Sequence, residues 1–298
     1  MKKVQDTAVR LPSRVLKKTE PYLFLLPALF FAIVFTYYPF VETIINSLFK
    51  LNIRVERINF ISLQNYTMVI NNNDFRNALY NSLRFTVMTV PFDVLISLTL
   101  ALLSERKRRF SWLYEMLFSV PMAISMSAAC MIFKLLLSNS LGLFNYIFNL
   151  SISWFFDRRY AMPGLAIITV WMSLGYNFLY MSAALRNVSQ EVLEAATVDG
   201  AHWYQRTLRI VIPLITPTLF YLTCMSIVTN MMMAGPVMVL TGGGPRRSTE
   251  TLIFHMYQRT VSATNMGYSY AVSIVIFMIV FLLILLTFRL EKKGVFYS

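Results

Sequence analysis

One glycine-rich segment, Gly242-Gly243-Gly244-Pro245, has the residue types of an anion-binding loop. A nucleotide-binding P-loop reads G-x-x-x-x-G-K-[ST], because its backbone amides and its lysine hold the phosphates. Here the glycines are followed by Pro245, Arg246 and Arg247, so the lysine and the hydroxyl residue after it are missing. We interpret the segment as a fixed turn, and we predict that this chain has no ATPase site of its own.

Other reactive side chains are few and widely spaced. Cys130 and Cys224 both lie in apolar runs, and they form no spaced framework of the kind that indicates a disulfide scaffold or a metal site. The spans assigned below place His202 and His255 on opposite sides of a membrane, too far apart to share a metal ion. We therefore predict no catalytic residues, no bound metal and no enzyme activity; a membrane enzyme is a remote alternative.

The composition indicates an integral membrane protein rather than a soluble enzyme. Hydrophobic residues make up 57% of the 298 residues, and charged residues only 14%, against about 25% in soluble proteins. Such hydrophobicity excludes intrinsic disorder. The net charge of +13 arises from 27 basic and 14 acidic residues, so it reflects few acids rather than the many charges of a nucleic-acid-binding surface.

Long uncharged runs predict six membrane-spanning helices, since a span needs about 20 mostly apolar residues. Unbroken apolar runs exclude a β-barrel, whose strands alternate over about 10 residues. The first span is longer than a signal-peptide core, so we expect it to be retained. The predicted fold class is an all-α polytopic membrane protein, with spans at about 22–49, 79–103, 112–137, 161–185, 214–240 and 270–288.

The distribution of lysine and arginine predicts the orientation of these spans. Segments on the side of both termini carry 16 of the 27 basic residues, the opposite side carries 9, and the remaining two lie within spans. The positive-inside rule then places the N-terminal tail (1–21), the basic cluster at 106–109 and the C-terminal tail (291–298) in the cytoplasm. We predict a multi-pass protein of a bacterial plasma (inner) membrane.

Four charged residues fall inside the second and third predicted spans, and each is a functional candidate because burying a charge in lipid is costly. Asp93 is the deepest, beside Pro91, whereas Arg84, Glu115 and Lys134 lie nearer to span ends. A polar path or a conformational lock is one interpretation. We favour a buried ion pair, such as Asp93 with a basic partner, or an anchor at a helix end.

The cytoplasmic loop 186–213 is longer than a turn and predicts a short helix of its own. Ser189 is a suitable N-cap, Glu191 complements the helix dipole, and Gly200 can end the helix in a left-handed conformation. A helix this short is marginal in water, so we expect it to dock. Its acidic face disfavours anionic lipid, which interfacial helices meet with cationic faces, and favours a protein partner.

The segment Glu194-Ala195-Ala196-x-x-Asp199-Gly200-Ala201, followed by Ile210-x-x-Pro213 and Pro217, resembles the EAA motif of binding-protein-dependent ABC importer permeases. The resemblance implies a type I ABC importer permease fold with a coupling helix that seats in a cleft of an ATPase subunit. It implies four partners: a second homologous permease, two ATP-binding subunits and an extracellular solute-binding protein. ATP and Mg would bind to the ATPase subunits, with no cofactor in this chain. The implied coupling residues are Glu194, Ala195, Ala196, Asp199 and Gly200.

The segment Gly242-Gly243-Gly244-Pro245 with Ser248-Thr249 resembles the loop of carbohydrate permeases, in particular the first of two dissimilar permease subunits. It implies a sugar or oligosaccharide as solute and a contact between this loop and the binding protein. The stretch 175–180 and the tail Glu291-Lys292-Lys293 resemble the glycerol-3-phosphate branch. A glycerol-3-phosphate or phosphodiester importer is therefore the alternative, in which Arg246, Arg247 or Lys134 would attract the anion.

Sugars are bound by aromatic and hydrogen-bonding side chains in mostly apolar cavities, and similar importers form that cavity from the fourth to sixth spans. We predict a substrate path there, although packing between helices is an open alternative for each residue. A remote alternative for the whole chain is a membrane sensor or scaffold without transport. The path candidates are Tyr176, Asn177, Tyr180, Thr229, Asn230 and Met233.

Overall fold

The structure is a computed structural model that describes residues 13–52, 54–105, 111–140, 142–261 and 265–294. The predicted basic cluster at 106–109 and the ends of the two tails lie outside the described residues. Within these residues all regular secondary structure is helical apart from one short hairpin. The all-α prediction is confirmed. Four helices are long and apolar enough to cross a membrane, and six spans result if each of two bent helix pairs counts as one.

The first span is a nearly continuous helix whose apolar surface is mostly exposed. It consists of α1 (Ser13–Ala32), a π-helical turn (Ile33–Tyr37) and α2 (Tyr38–Ser47). In the candidate span Tyr22–Ser47, none of the most apolar window is buried. Such an apolar surface would be unfavourable in water, and it fits a lipid environment or a neighbouring subunit.

A hairpin and a short helix join the first span to the second. Strands β1 (Phe49–Leu51) and β2 (Arg57–Phe60) pair antiparallel, with a bulge after Lys50, and α3 (Gln64–Asn71) follows. The buried amide of Asn65 donates to the carbonyls of Ser47 (2.8 Å) and Phe49 (3.1 Å). These two bonds hold the hairpin against α3.

Helix α4 (Asn73–Glu105) is the longest described helix; at 1.5 Å per residue its 33 residues span about 50 Å. Asn72 caps its first turn by accepting from the amides of Asp74 (2.8 Å) and Phe75 (3.2 Å). Pro91 lies in its interior. The helix therefore runs through the whole bundle and connects its two ends.

The third predicted span is broken into two helices. Helices α5 (Ser111–Ala123) and α6 (Met126–Leu136) meet at an angle of 105°. Ser125 starts α6 by accepting a hydrogen bond from the Ala128 amide (3.3 Å). Helix α7 (Leu143–Ile147) then covers the buried Trp154.

Helix α8 (Ala161–Arg186) packs against both α4 and α5. Gly175 makes the close approach to α5 possible, because a Cβ atom there would lie 2.9 Å from the backbone nitrogen of Met122. At the end of α8, Arg186 forms an ion pair with Glu115 (2.6 Å). Glu115 thus lies at a helix end, as the sequence predicted.

The remaining helices return through the bundle. Helix α12 (Thr216–Met231) packs on α4 and on α14 (Met266–Gly294), and α12 is bent by 67° relative to the segment before it. A gap separates α12 from a π-helical segment at Val237–Thr241. In chain order, the helices that follow α8 are α9 (Gln190–Val198), α10 (Trp203–Arg206), α11 (Ile212–Leu214), α12 (Thr216–Met231), α13 (Leu252–Val261) and α14 (Met266–Gly294).

Candidate functional site

A buried polar cluster lies in the middle of the bundle where α4, α8 and α12 meet. The Asp93 carboxylate on α4 accepts from the Ser173 hydroxyl (2.6 Å, to Oδ1) and from the Asn230 amide (3.0 Å, to Oδ2). Asp93 is 1% exposed. In the part of the chain that the structure describes, no lysine, arginine or histidine lies within ion-pair distance of it. The expected ion pair with a basic partner is therefore wrong.

A cavity of about 490 Å³ lies beside this cluster. Its wall combines a carboxylate, hydroxyls and amides with methionine side chains, which adapt readily to different shapes. Five of the six predicted path residues line it: Tyr176, Asn177, Thr229, Asn230 and Met233. The other lining residues are Asp93, Met126, Thr169, Met172, Ser173, Met225, Ser226 and Pro236.

Two amides in the cavity wall have atoms without a hydrogen-bond partner in the described structure. These are Nδ2 of Asn177, a donor, and Oδ1 of Asn230, an acceptor. Both residues are at most 3% exposed. Because a buried unsatisfied polar atom costs free energy, such atoms at a cavity indicate a place where a polar ligand or water completes the bonding.

Tyr180, the sixth predicted path residue, lies next to the cavity rather than in its wall. Its ring packs against Tyr176 at 4.5 Å between centroids and against Tyr221 at 5.8 Å. The hydroxyls of Tyr176 and Tyr221 are 3.2 Å apart and share a hydrogen bond. This aromatic cluster extends from the cavity along α8 and α12 towards the end of the bundle that carries α9.

Sequence reasoning missed Ser173 and Ser226 as members of the site, and it assigned Asp93 a different role. A signal for the two serines was present in their spacing: Ser173 precedes Asn177, and Ser226 precedes Asn230, by four residues each. Residues four apart share a helix face, so each serine lies beside a residue that was predicted. For Asp93 the missing information was which helices pack around α4.

The short helix predicted in the loop 186–213 is present as α9, and it has a buried side and an exposed side. Leu193 and Ala196 are buried against a core cluster that includes Phe178, Met181 and Ile215. Glu194, Ala195, Asp199 and Gly200 are exposed, and Val198 is 87% exposed. Ala196 thus attaches the helix to the bundle, and the other four predicted coupling residues are free to meet a partner.

The ends of α9 follow the sequence pattern in part. Gly200 has a φ of +77°, so the left-handed ending is confirmed. Ser189 occupies the N-cap position, but its side chain makes no capping hydrogen bond. The helix is instead held by Leu193 and Ala196 and by Arg206, which donates to the Thr197 hydroxyl (3.0 Å).

The Gly242–Pro245 loop lies at the opposite end of the bundle and is a built turn. Gly242 and Gly243 have φ values of +55° and +82°, which favour glycine. Thr249 closes the loop by donating from its hydroxyl to the carbonyl of Gly244 (2.7 Å). Gly242 is exposed, whereas Gly243 is buried against Phe254, so only part of this segment can contact another protein directly.

The arginine after this loop is engaged in ion pairs. Arg247 forms ion pairs with Asp74 and with Glu250 (3.6 Å). Asp74 also forms an ion pair with Arg259 (2.9 Å). Arg246 and Lys134 are exposed and lie outside the cavity wall. None of the three cations predicted to attract an anion lines the cavity. Among the described residues, no group of three His, Cys, Asp or Glu side chains could hold a metal ion.

A bundle of membrane-spanning helices with a polar central cavity and an exposed short helix at one end is the architecture of a multi-pass membrane permease. Residues 93–293 match the family described as binding-protein-dependent transport system inner membrane component. The chain belongs to this family, and it is a permease subunit of a binding-protein-dependent ABC importer, a transport component.

Several ABC transporter permeases are similar to this chain over nearly their whole length. The sn-glycerol-3-phosphate transport system permease protein UgpA of Brucella abortus is 30% identical, with 97% of this chain and 99% of the relative covered. UgpA of Agrobacterium fabrum is 29% identical, covering 98% and 99%. The probable ABC transporter permease protein YurN of Bacillus subtilis is 30% identical, covering 93% and 97%.

Solved structures of ABC importers share the fold. A chain of a bacterial alginate ABC transporter, solved with an alginate pentasaccharide-bound periplasmic protein, matches with a TM-score of 0.78 at 18% identity, covering 94% of this chain and 96% of the other. A chain of the MetNI methionine ABC transporter matches with a TM-score of 0.56 at 14% identity, covering 74% and 95%. The predicted ABC importer permease fold is confirmed.

Proposed function

We propose that this permease carries a neutral sugar or oligosaccharide, and that the cavity beside Asp93 is part of its path. The observation that carries this proposal is the lining of that cavity. Hydroxyls and amides from α8 and α12 lie beside methionine and aromatic surface, as expected for a site that binds a polyhydroxylated solute by hydrogen bonds and apolar contact. The resemblance of the Gly242–Pro245 loop to carbohydrate permeases also supports it.

The exposed side of α9 is the surface through which an ATPase subunit drives transport. Its buried side rests on the core that continues along α8 and α12 towards the cavity, so a movement of α9 is transmitted to both cavity helices. ATP and Mg bind to the ATPase subunits, and this chain has no nucleotide site. The complete transporter contains this chain, a second and dissimilar permease, two ATPase subunits and an extracellular binding protein.

The orientation follows from the ends of the bundle. The ATPase subunits work in the cytoplasm, so the α9 end faces inward and both termini are cytoplasmic. The Gly242–Pro245 loop then faces the binding protein. The basic excess predicted from sequence for the α9 side agrees with this orientation.

Charge reversal on α9 tests the coupling role. Glu194→Lys replaces an exposed acidic residue on the proposed docking side, so we expect it to abolish solute-stimulated ATPase activity or subunit assembly. Glu56→Lys is a matched control, because Glu56 is exposed in the hairpin loop, far along the chain from α9. Undiminished transport by the Glu194→Lys complex would exclude the coupling role.

Glycerol-3-phosphate is the second candidate solute, and the names of the relatives UgpA favour it. ATP-dependent uptake by the complete transporter in proteoliposomes decides between the two. The panel contains radiolabelled neutral mono- and oligosaccharides and sn-glycerol-3-phosphate, each tested with the cognate binding protein. We expect uptake of at least one neutral sugar. Uptake of sn-glycerol-3-phosphate alone would contradict the sugar assignment.

A further inference from the structure

We propose that Tyr180 and Tyr221, together with Tyr176, form a second sugar-binding subsite beside the cavity, so that the path binds an oligosaccharide in preference to a monosaccharide. The inference rests on the proposed function, because it assumes that the cavity is on the path of a neutral sugar. It goes further by adding Tyr221 to the path and by selecting the size of the sugar.

Tyr221 lies on the same face of α12 as residues that line the cavity. Met225 and Thr229 belong to the cavity wall, and they follow Tyr221 at intervals of four residues. Residues four apart share a helix face. The ring of Tyr221 therefore continues the cavity wall by one helical turn, towards the start of α12.

Tyr180 extends the wall formed by α8 in the same direction. Tyr176 lines the cavity, and Tyr180 follows it by four residues. Thr169 is the first residue of α8 in the cavity wall. At 1.5 Å per residue, the distance along the helix from Thr169 to Tyr180 is about 16 Å, which is longer than one sugar ring. The wall therefore has room for a second ring beside the first.

The three tyrosines join the two helices into one surface. The ring of Tyr180 lies 4.5 Å from that of Tyr176 and 5.8 Å from that of Tyr221, measured between centroids. The hydroxyls of Tyr176 and Tyr221 are 3.2 Å apart. Tyr180 and Tyr221 are each 42% exposed, so ring surface and hydroxyl groups are accessible directly beside the cavity.

This combination of groups suits a sugar ring. The face of a sugar that carries C–H groups packs on an aromatic ring, and a tyrosine hydroxyl both donates and accepts. Membrane proteins also place tyrosines at the lipid interface, where the hydroxyl meets water and head groups. Here the hydroxyls of Tyr176 and Tyr221 instead bond to each other across two helices, which favours a role in the path.

Equilibrium binding to the purified complex of both permeases and the ATPase subunits tests the inference without the selectivity of the binding protein. The probes are the radiolabelled neutral oligosaccharide that the transporter takes up in proteoliposomes and its constituent monosaccharides. We expect the wild-type complex to bind the oligosaccharide about tenfold more tightly, a difference of about 1.4 kcal/mol.

Substitutions at the two exposed tyrosines locate the preference. We expect Tyr180→Ala and Tyr221→Ala each to weaken oligosaccharide binding about fivefold to tenfold, through loss of ring contact. Monosaccharide binding should change little, because the cavity wall beside Asp93 is intact. Tyr221→Phe keeps the ring, so it should retain more oligosaccharide binding than Tyr221→Ala.

Tyr257→Ala is the matched control. Tyr257 is 43% exposed, but it lies on α13 and outside the lining of this cavity, so neither sugar should bind differently. Thermal unfolding in detergent shows whether each variant is folded. If the alanine variants at Tyr180 and Tyr221 fail to fold, the wild-type preference and Tyr221→Phe still decide.

The failures of the two proposals are distinguishable. Uptake of monosaccharides alone, or equal wild-type affinity for the oligosaccharide and its monosaccharides, overturns the second subsite and leaves the sugar assignment intact. An unchanged preference in folded Tyr180→Ala and Tyr221→Ala also overturns it and indicates an interfacial role for these tyrosines. Absence of uptake for every neutral sugar overturns both proposals.

Discussion

Asn81 on α4 donates from its side-chain amide to the main-chain carbonyl of Arg247 at 2.9 Å, although the two residues are far apart in sequence. The same amide also reaches the Glu250 carbonyl at 3.1 Å. About 21 residues further along α4, Leu102 lines a groove next to α9. At 1.5 Å per residue this distance is about 30 Å. Helix α4 therefore contacts the segment that follows the Gly242–Pro245 loop, contains the central Asp93, and ends next to α9.

Removal of the Asn81 amide should loosen the Gly242–Pro245 loop. Asn81→Ala removes the buried hydrogen bond to the Glu250 carbonyl, and leaving a buried acceptor without that donor costs about 1–3 kcal/mol. We expect a lower midpoint of thermal unfolding in detergent and weaker binding of the cognate binding protein to the complex.

Asn77→Ala is the matched control for Asn81→Ala. Asn77 donates to the same Arg247 carbonyl at 2.9 Å, but this bond is exposed to solvent. Water can replace an exposed donor, so the effect should be clearly smaller. Equal effects of the two variants would show that burial of the Asn81 contact is unimportant.

Gly175 should tolerate no side chain. In Gly175→Ala the new Cβ would lie 2.9 Å from the Met122 nitrogen and 3.1 Å from the Ser119 carbonyl oxygen, and backbone cannot move aside cheaply. We expect a loss of about 1–3 kcal/mol from overpacking, measured as a lower unfolding midpoint and a lower yield of intact complex.

Gly164→Ala on the same helix provides the comparison. There the nearest atom to a new Cβ is Cε1 of the Phe155 ring at 3.3 Å, and a side chain can shift. A stability loss in Gly164→Ala as large as that in Gly175→Ala would argue against close backbone contact between α5 and α8 as the reason for Gly175.

Local sequence features predicted some parts of the structure well. The left-handed Gly200 and the apolar runs depend on neighbouring residues only, and both appear in the structure. The break of 105° between α5 and α6 was not predicted. Pro121 and Ser125 lie near it, but the run of apolar residues continues through it and masks the change of direction.

The partners of Asp93 could not be read from sequence. Asp93 meets Ser173, 80 residues away, and Asn230, 137 residues away, and these contacts depend on how α4, α8 and α12 pack. A buried charge usually has an oppositely charged partner, which is why an ion pair was expected for Asp93. In this bundle, hydrogen bonds from neutral side chains replace the ion pair.

Val198 should contribute to docking of the ATPase subunit rather than to folding. It is 87% exposed at the end of α9, so Val198→Asp removes no packing and should change the unfolding midpoint little. We expect the added charge to weaken co-purification of the ATPase subunit and to lower solute-stimulated ATP hydrolysis several-fold.

Val261→Asp is the control for Val198→Asp. Val261 ends α13 and is 65% exposed, so the chemistry and the exposure are similar, but α13 packs on α14 near the Gly242 end. ATPase binding should be unaffected by it. If both variants lose the ATPase subunit equally, the effect of Val198→Asp is not specific to the coupling surface.

A buried chain of three polar side chains near the Gly242 loop should be important for stability. His255 contacts Glu250 through Nδ1 (2.7 Å) and the Tyr268 hydroxyl through Nε2 (3.1 Å), and all three residues are at most 5% exposed. His255→Leu leaves the Glu250 carboxylate and the Tyr268 hydroxyl without this partner. Among the described residues, the carboxylate then keeps its contact with the more distant Arg247 (3.6 Å).

We expect His255→Leu to destabilise the permease by about 1–3 kcal/mol, because it removes a buried hydrogen-bond partner from the Glu250 carboxylate and from the Tyr268 hydroxyl. Tyr268→Phe removes a single hydroxyl and should cost only about 0.5–1.5 kcal/mol. Thermal unfolding of both variants in the same detergent shows which of the two substitutions destabilises the protein more. A smaller loss for His255→Leu than for Tyr268→Phe would mean that Glu250 does not depend on the imidazole, and that the ion pair with Arg247 suffices to hold the carboxylate.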